Sequence, residues 1–459
     1  MIKNAPPREG KEAKALDGLL SRLDFAQREA AECLEGTLCL KAGAGSGKTS
    51  TVCARIALGL EKGEWDPART LAVAFSRRAA DALKGRLLSL SAPEKVKVST
   101  FHSLALAQLR RLWSLFALSP FPNLVDERGS CALFEKAAGA GERIGEYLGA
   151  LKWAKSSLVG PSELEEAASY SSFPLPSGFK AAWQAYEKAK KEAGAIDFGD
   201  IFILLLKILE ASREARKLVS GAFESVTVDE YQDVSPAEHA ILKFWASRAQ
   251  SVCVVGDAAQ TIYSFAGSSG WFLSHAKADF PAPYREIPLS FDYRSGREVI
   301  RCANGILALS AEKYARLRAG SKARGSLERR SFKDFPSLLR GAVELAKSKD
   351  PAKSFAILAR TRRDLDALAA ELLKEKVPFG PPGCEGEGRI ALSTIHAAKG
   401  LEWDQAVLFI GTERVGEEEE ERRILYVGAT RAKEKLSILF LPSPSNLSRF
   451  LPFSPSEGR

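Results

Sequence analysis

The chain has 459 residues, 45% hydrophobic and 27% charged, an ordinary globular composition that allows roughly two to four domains and excludes global disorder. Its 66 basic residues against 57 acidic ones give a net charge of +9, which is compatible with a polyanionic partner and equally with plain solubility. Seven scattered cysteines without a C-x-x-C pair predict reduced thiols and no zinc site, no apolar run approaches the roughly 18 residues of a membrane span, and the charged start predicts no secretory leader and a cytoplasmic protein.

Residues 1–22 form an N-terminal extension of helical flavour with no assigned function. Beyond it, short apolar, β-branched runs alternate with helical spacings, a rhythm that predicts parallel strands covered by helices on both faces. One group of strands is Thr37–Lys41, Thr70–Phe75, Val96–Ser99, Ser225–Val228 and Ser251–Val255. A second is Glu286–Leu289, Ser354–Ala359, Arg389–Ser393, Gln405–Ile410 and Lys435–Phe440. Residues 104–220 break the rhythm with helix-length patterns such as Gly178–Lys191 and Phe198–Leu218, and read as a helical insertion. The fold class is therefore α/β with two parallel-sheet domains in tandem. The first spans 23–103 and 221–288 around the insertion, the second 289–441, and 442–459 is a short tail. Glu417–Glu421 reads as a solvated helix start, where acids complement the helix dipole.

After the first strand comes Ala42-Gly43-Ala44-Gly45-Ser46-Gly47-Lys48-Thr49, followed by Ser50 and a helical pattern. Small residues let backbone N–H groups turn towards phosphate oxygens; Lys48 then reaches the terminal phosphates and Thr49 holds Mg²⁺. The pattern is the phosphate-loop signature with Ala42 in place of the first Gly. The bland reading is a Gly-rich turn. Asp229-Glu230 closes another strand. Two carboxylates there suit a metal contact through Asp229 and a water-activating base in Glu230.

Further runs complete a set. They are Leu23-Asp24-Phe25-Ala26-Gln27, Ala74-Phe75-Ser76, Ser99-Thr100-Phe101-His102, Asp229-Glu230-Tyr231-Gln232-Asp233, Val255 to Phe265, Leu289 to Ser295, Thr394 to Trp403 and Glu421 to Ala432. In this order, from about Leu23 to Phe450, the chain resembles the UvrD/Rep/PcrA family of superfamily 1 helicases. The resemblance implies two RecA-like domains and a DNA-stimulated ATPase that uses ATP and Mg²⁺. It also implies movement 3′ to 5′ on single-stranded DNA, and a duty for each motif: Gln27 reads adenine, Tyr293 stacks on it, and Glu402, Arg55 and Ser50 complete the nucleotide contacts. Gln260 senses the γ-phosphate, and Arg294 and Arg431 are arginine fingers. The resemblance further places Phe75, Phe101, His102, Phe198, Tyr263, Phe265, Thr394 and His396 on the DNA track, where stacking tolerates any base. For any single aromatic, core packing is the commoner role.

Three departures stand out. Arg294 and His396 are 102 positions apart, too close for the large mobile subdomain, 2B, that full-length relatives insert. The region after Arg431 is trimmed where relatives carry a strand-separating hairpin. Ala266 replaces an Arg beside the stacking aromatic. These keep two alternatives open: a translocase that displaces proteins without unwinding, and a nucleotide-gated DNA-binding or loading module. The expected partners are single-stranded DNA and its junctions with duplex, with room for an accessory or loading protein. A monomer is favoured, with no membrane and a nucleoid-associated location.

Overall fold

The computed structural model describes residues 11–90, 92–116, 119–139, 141–171, 173–308, 310–320, 323–383, 388–411 and 416–452. Cys384, part of the bridge before Arg389, the first half of the N-terminal extension and the end of the tail lie outside them. The chain divides into two compact units.

The first unit is built on a six-stranded sheet in the order Lys97–Thr100, Thr70–Ala74, Ser225–Val228, Ser251–Gly256, Gly36–Ala42, Tyr284–Leu289. The first five strands pair in parallel. Their middles, such as Leu38, Cys39, Leu40, Val252 and Val254, are fully buried, because helices cover both faces and neither face can be polar. The strand at Tyr284–Leu289, expected in the second sheet, closes the edge of the first. Apolar periodicity identifies a strand but carries no information on which sheet receives it.

Residues 104–220 are mostly helical, and the helices at both ends of this stretch pack on the sheet. Helices Phe101–Phe116 and Phe198–Ala211 pack into the sheet's core through Leu104, Leu109, Ile201 and Leu205. A separate aromatic core of Phe134, Tyr147, Trp153, Phe179, Trp183 and Tyr186 holds the intervening helices. The long pattern Phe198–Leu218 is two helices. Ser212 ends the first and accepts a hydrogen bond from the Ala215 amide to start Arg213–Ser220, the role for which a Ser side chain competes well with helix continuation.

The second unit carries a parallel six-stranded sheet in the order Ser326–Ser331, Ala432–Phe440, Trp403–Ile410, Phe355–Ala359, Ile390–Thr394, Phe379–Gly380. Phe355, Ile357, Val407, Phe409 and Leu439 form its core with helices Phe335–Lys347 and Arg362–Lys374. Two short segments from elsewhere in the sequence, Ala42–Gly47 and Asp257–Ile262, pack with this unit. The acidic helix start is only partly solvated. Glu421 is buried and receives a bidentate pair of hydrogen bonds from Arg360 at 2.8 and 2.7 Å.

Candidate nucleotide and nucleic-acid site

The buried strand Gly36–Ala42 delivers the chain into a tight loop that ends at the first residue of helix Lys48–Glu61. Gly45 and Gly47 take φ of +67° and +76°, a backbone region that side chains avoid. A Cβ at Gly45 would meet the Asp292 carboxylate at 2.0 Å, so only Gly fits there. The Ser46 hydroxyl closes the turn on the Gly43 carbonyl at 2.7 Å. The first turn of the following helix contains no acid, which leaves its positive end suited to an anion.

Within the first unit, Asp229 and Glu230 leave the end of strand Ser225–Val228. Glu230 adopts φ of +54°, an uncommon conformation for a non-Gly residue and one that concentrates at functional sites. Its carboxylate accepts a bond from Gln232 Nε2 at 2.5 Å, and its amide donates to Asp229 Oδ1 at 3.0 Å. Desolvation, and then the neighbouring Glu230 charge, push the Asp229 carboxyl above its ordinary range, while Lys48 pulls it back. A carboxylate pair crowded against each other next to a lysine is an arrangement relieved by a divalent cation.

Within the second unit, the structure brings Gln260, Arg294, Glu402 and Arg431 together. Gln260 is buried and donates to Asp257 at 2.7 Å. Its side-chain oxygen accepts from Arg431 Nη2 at 3.3 Å. Arg431 also donates to the carbonyls of Val427 and Leu401 at 2.9 and 3.1 Å. Arg294 spans Glu402 at 2.9 Å and the Thr430 carbonyl at 2.8 Å. Beside them, Tyr293 keeps a 44% exposed ring and its amide donates to the Gly45 carbonyl at 3.0 Å.

Gln27 is buried, and its Oε1 accepts from the Asp24 amide in a reciprocal capping box. This fixes the plane of its amide. Ser50 Oγ accepts from Arg86 at 2.8 Å. Two of the assigned residues lie in the core. Arg55 is fully buried, donates to the Cys33 carbonyl at 2.8 Å and to Ser251 Oγ at 2.5 Å, and lies over Trp65. All three neighbours belong to the first unit. Phe101 is likewise a core residue, 5% exposed and stacked on Trp245 at 5.6 Å. Its apolar ring starts a helix whose inward face is Leu104, Ala105 and Leu109.

The other aromatics of the first unit are available. Phe75 stacks on Tyr263 at 5.3 Å, and Tyr263 meets Phe265 edge-on at 6.1 Å. Phe75 and Phe265 remain 44% and 55% exposed. Phe198, 43% exposed, is the first residue of its helix, held there by the Asp197 and Asp200 capping box. It faces a cleft of about 540 Å³ that is also lined by His102, Lys152 and Phe202. Below it, Lys155 Nζ reaches Asp197 and Asp200 at 2.7 and 2.6 Å, and Lys190 Nζ reaches the same pair at 2.8 and 2.5 Å. Two ammonium groups thus occupy the place that Glu187, Asp197 and Asp200 would otherwise offer a metal ion. In the second unit, Thr394 ends strand Ile390–Thr394 and its hydroxyl accepts from the Ala397 amide at 3.2 Å. Burial, and then the Arg360 charge, push the His396 imidazole down to about 4, so it is neutral at pH 7.

Several neighbours went unassigned in the sequence. Asp257 orients Gln260, and Lys399 donates to the Gln260 carbonyl at 2.5 Å. Asp292 Oδ1 accepts from the amides of Arg294 and Ser295, each at 2.8 Å. Tyr426 hydrogen-bonds at the Ala44 backbone. All lie inside the quoted motifs. That position was the available signal; their partners are set by tertiary packing.

Tandem parallel sheets, a phosphate loop and a carboxylate pair at a strand end define a P-loop protein with RecA-like domains. Residues 23–281 match the model of the UvrD/REP helicase N-terminal domain, and residues 389–439 match that of the UvrD-like helicase C-terminal domain. The chain belongs to the UvrD/REP helicase family. It is 29% identical to the ATP-dependent DNA helicase UvrD2 of Mycobacterium bovis and of Mycobacterium tuberculosis, over 94% of this chain and 80% of that protein. It is 26% identical to the ATP-dependent DNA helicase PcrA of Staphylococcus aureus, over 79% of this chain and 51% of that protein. The UvrD2 alignment runs over 572 positions, more than the 459 residues available here, so the relative carries sequence that this chain lacks. No helix among the described residues is long and apolar enough to cross a membrane.

Proposed function

We propose that the protein is an ATP-dependent DNA helicase that moves 3′ to 5′ on single-stranded DNA. The observation that carries this is the Asp229–Glu230 pair beside Lys48, in a chain whose relatives are DNA helicases. Lys48 and the amides of Gly43 to Gly47 bind the phosphates. Gln27 and Tyr293 hold the adenine, with Glu402 and Ser50 completing the nucleotide contacts. Thr49 and Asp229 hold Mg²⁺, which when bound neutralises charge on the phosphates. Glu230 orients the attacking water and takes its proton. Gln260, Arg294 and Arg431 meet the γ-phosphate, a task suited to the planar, permanently charged guanidinium. Phe75, Tyr263, Phe265 and Phe198, with His102, Thr394 and His396, carry the strand.

Glu230→Gln tests the assignment. It keeps shape and hydrogen bonding while removing the base. Nucleotide binding should persist while DNA-stimulated hydrolysis falls by on the order of 10²–10⁴-fold; normal hydrolysis would remove Glu230 from the role. The trimmed sequence after Arg431 supports a second reading. Among the described residues no strand follows Ala432–Phe440, only the short helical turn Leu447–Phe450. On that reading the motor strips proteins from DNA and unwinds only with an accessory protein. Efficient unwinding by the purified chain would eliminate it.

A further inference from the structure

The second unit carries a feature that none of these roles uses. On helix Arg297–Leu307, Arg297 and Arg301 are four residues apart, which puts them on one face. Arg316 and Arg318 flank Leu317 in the chain and line the same cleft. The four arginines line a cleft of about 470 Å³ together with Ile300, Asn304 and Leu317.

The cleft is built rather than incidental. Asn304 donates to the Leu317 carbonyl and accepts from the Leu317 amide, both at 2.9 Å. Both ends of one side chain therefore clamp the segment that bears Arg316 and Arg318 to the helix that bears Arg297 and Arg301. Leu317 is buried between its exposed neighbours. No carboxylate lines the cleft. Arg301 has a carboxylate partner, Glu298 at 2.6 Å; among the described residues no carboxylate pairs with the side chains of Arg297, Arg316 and Arg318. Like charges clamped onto one rigid surface repel one another until an anion joins them.

We propose that this four-arginine cleft binds the phosphodiester backbone of double-stranded DNA. Arginine suits phosphate oxygens in planar, bidentate fashion. The cleft lacks the aromatic platforms that a single-stranded track needs, and its charged lining matches backbone positioning without base reading. The proposal rests on the reading above that DNA is the track, and adds a duplex contact on the second unit, beside the phosphate loop, because Leu317 lies against Gly43.

The test is the variant Arg297→Gln/Arg316→Gln/Arg318→Gln, with the matching triple Arg→Lys variant as a control for charge. Binding is measured on oligo-dT and on a blunt duplex across a salt series, alongside oligo-dT-stimulated ATP hydrolysis and KM for ATP. The proposal expects duplex affinity to fall about 10-fold or more and the slope of log K against log salt to shrink by about 2–3. Oligo-dT binding, hydrolysis and KM should be unchanged, and the Lys variant should keep the salt slope while restoring duplex affinity only in part. Unchanged duplex binding overturns the proposal. So does an equal loss on oligo-dT, or a raised KM with duplex binding intact, which would make the cleft a small-phosphate site. Absence of oligo-dT-stimulated hydrolysis in the unaltered protein is a different failure, that of the motor reading itself.

Discussion

Arg431 donates to the side-chain oxygen of Gln260 at 3.3 Å, while the Gln260 amide nitrogen donates to Asp257 at 2.7 Å. The Asp257 carboxylate can only accept, so it fixes which way the Gln260 amide faces and leaves oxygen for the guanidinium. The pair is one unit. Arg431→Lys cannot maintain bonds to Gln260, Val427 and Leu401 together, and should lower DNA-stimulated kcat on the order of 10³-fold. Gln260→Ala should fall short of that. The double variant should be little worse than Arg431→Lys alone, because residues acting together are not additive. Steady-state kinetics of the three variants measures this.

The loop makes a sharper steric prediction. Gly45→Ala introduces a side chain at φ of +67°, with its Cβ at the Asp292 carboxylate. Strain of about 1–3 kcal/mol should weaken binding of a non-hydrolysable ATP analogue roughly 5- to 150-fold, measured by calorimetry. Gly85→Ala, where a Cβ meets nothing within 4 Å, should leave that affinity unchanged.

The aromatics divide into two kinds. Phe75→Ala and Phe265→Ala remove exposed rings, and each should cost about 1–3 kcal/mol of single-strand affinity with little change in Tm. Phe101→Ala empties a buried position against Trp245. It should instead destabilise the fold by about 3–5 kcal/mol. Anisotropy titrations and thermal melts on the same three proteins separate the cases.

The buried ion cluster sets an acid limit. Burial alone would raise the Asp197 carboxyl, but Lys155 and Lys190 outweigh it and hold it at about 2, below its ordinary 3.8. A carboxyl depressed in the folded state contributes stability above its unfolded pKa and loses it as pH falls towards the folded one. That contribution should be complete above about pH 4 and vanish between there and about 2. Lys155→Met leaves two buried carboxylates with one ammonium, and should cost about 3–5 kcal/mol at pH 7. It should also move the acid transition to higher pH, as followed by thermal melts from pH 2 to 7.

Most strands, and the loop and carboxylate pair, were legible in the sequence because each depends on local chemistry: burial on both faces, small residues at a turn, carboxylates at a strand end. What was not legible depends on distant partners. Glu286–Leu289 reads as a strand in either sheet until Gly36–Ala42 is in place beside it. Arg55 lies seven residues after Lys48, and its partners, the Cys33 carbonyl and Ser251 Oγ, are distant in sequence. Phe101 adjoins His102 in sequence, but successive helix positions point in different directions, and Trp245 receives its ring. The pairing of Lys155 and Lys190 with the capping box beneath Phe198 joins residues 42 and 7 positions from Asp197 and has no local sequence signature.

The most direct test of the central claim is strand displacement from duplexes with a 3′ tail, a 5′ tail or blunt ends, with ATP hydrolysis followed in parallel. The account predicts rapid hydrolysis stimulated by single strands, and ATP-dependent release from the 3′-tailed duplex alone. Release from the 5′-tailed duplex, or hydrolysis indifferent to DNA, would contradict it.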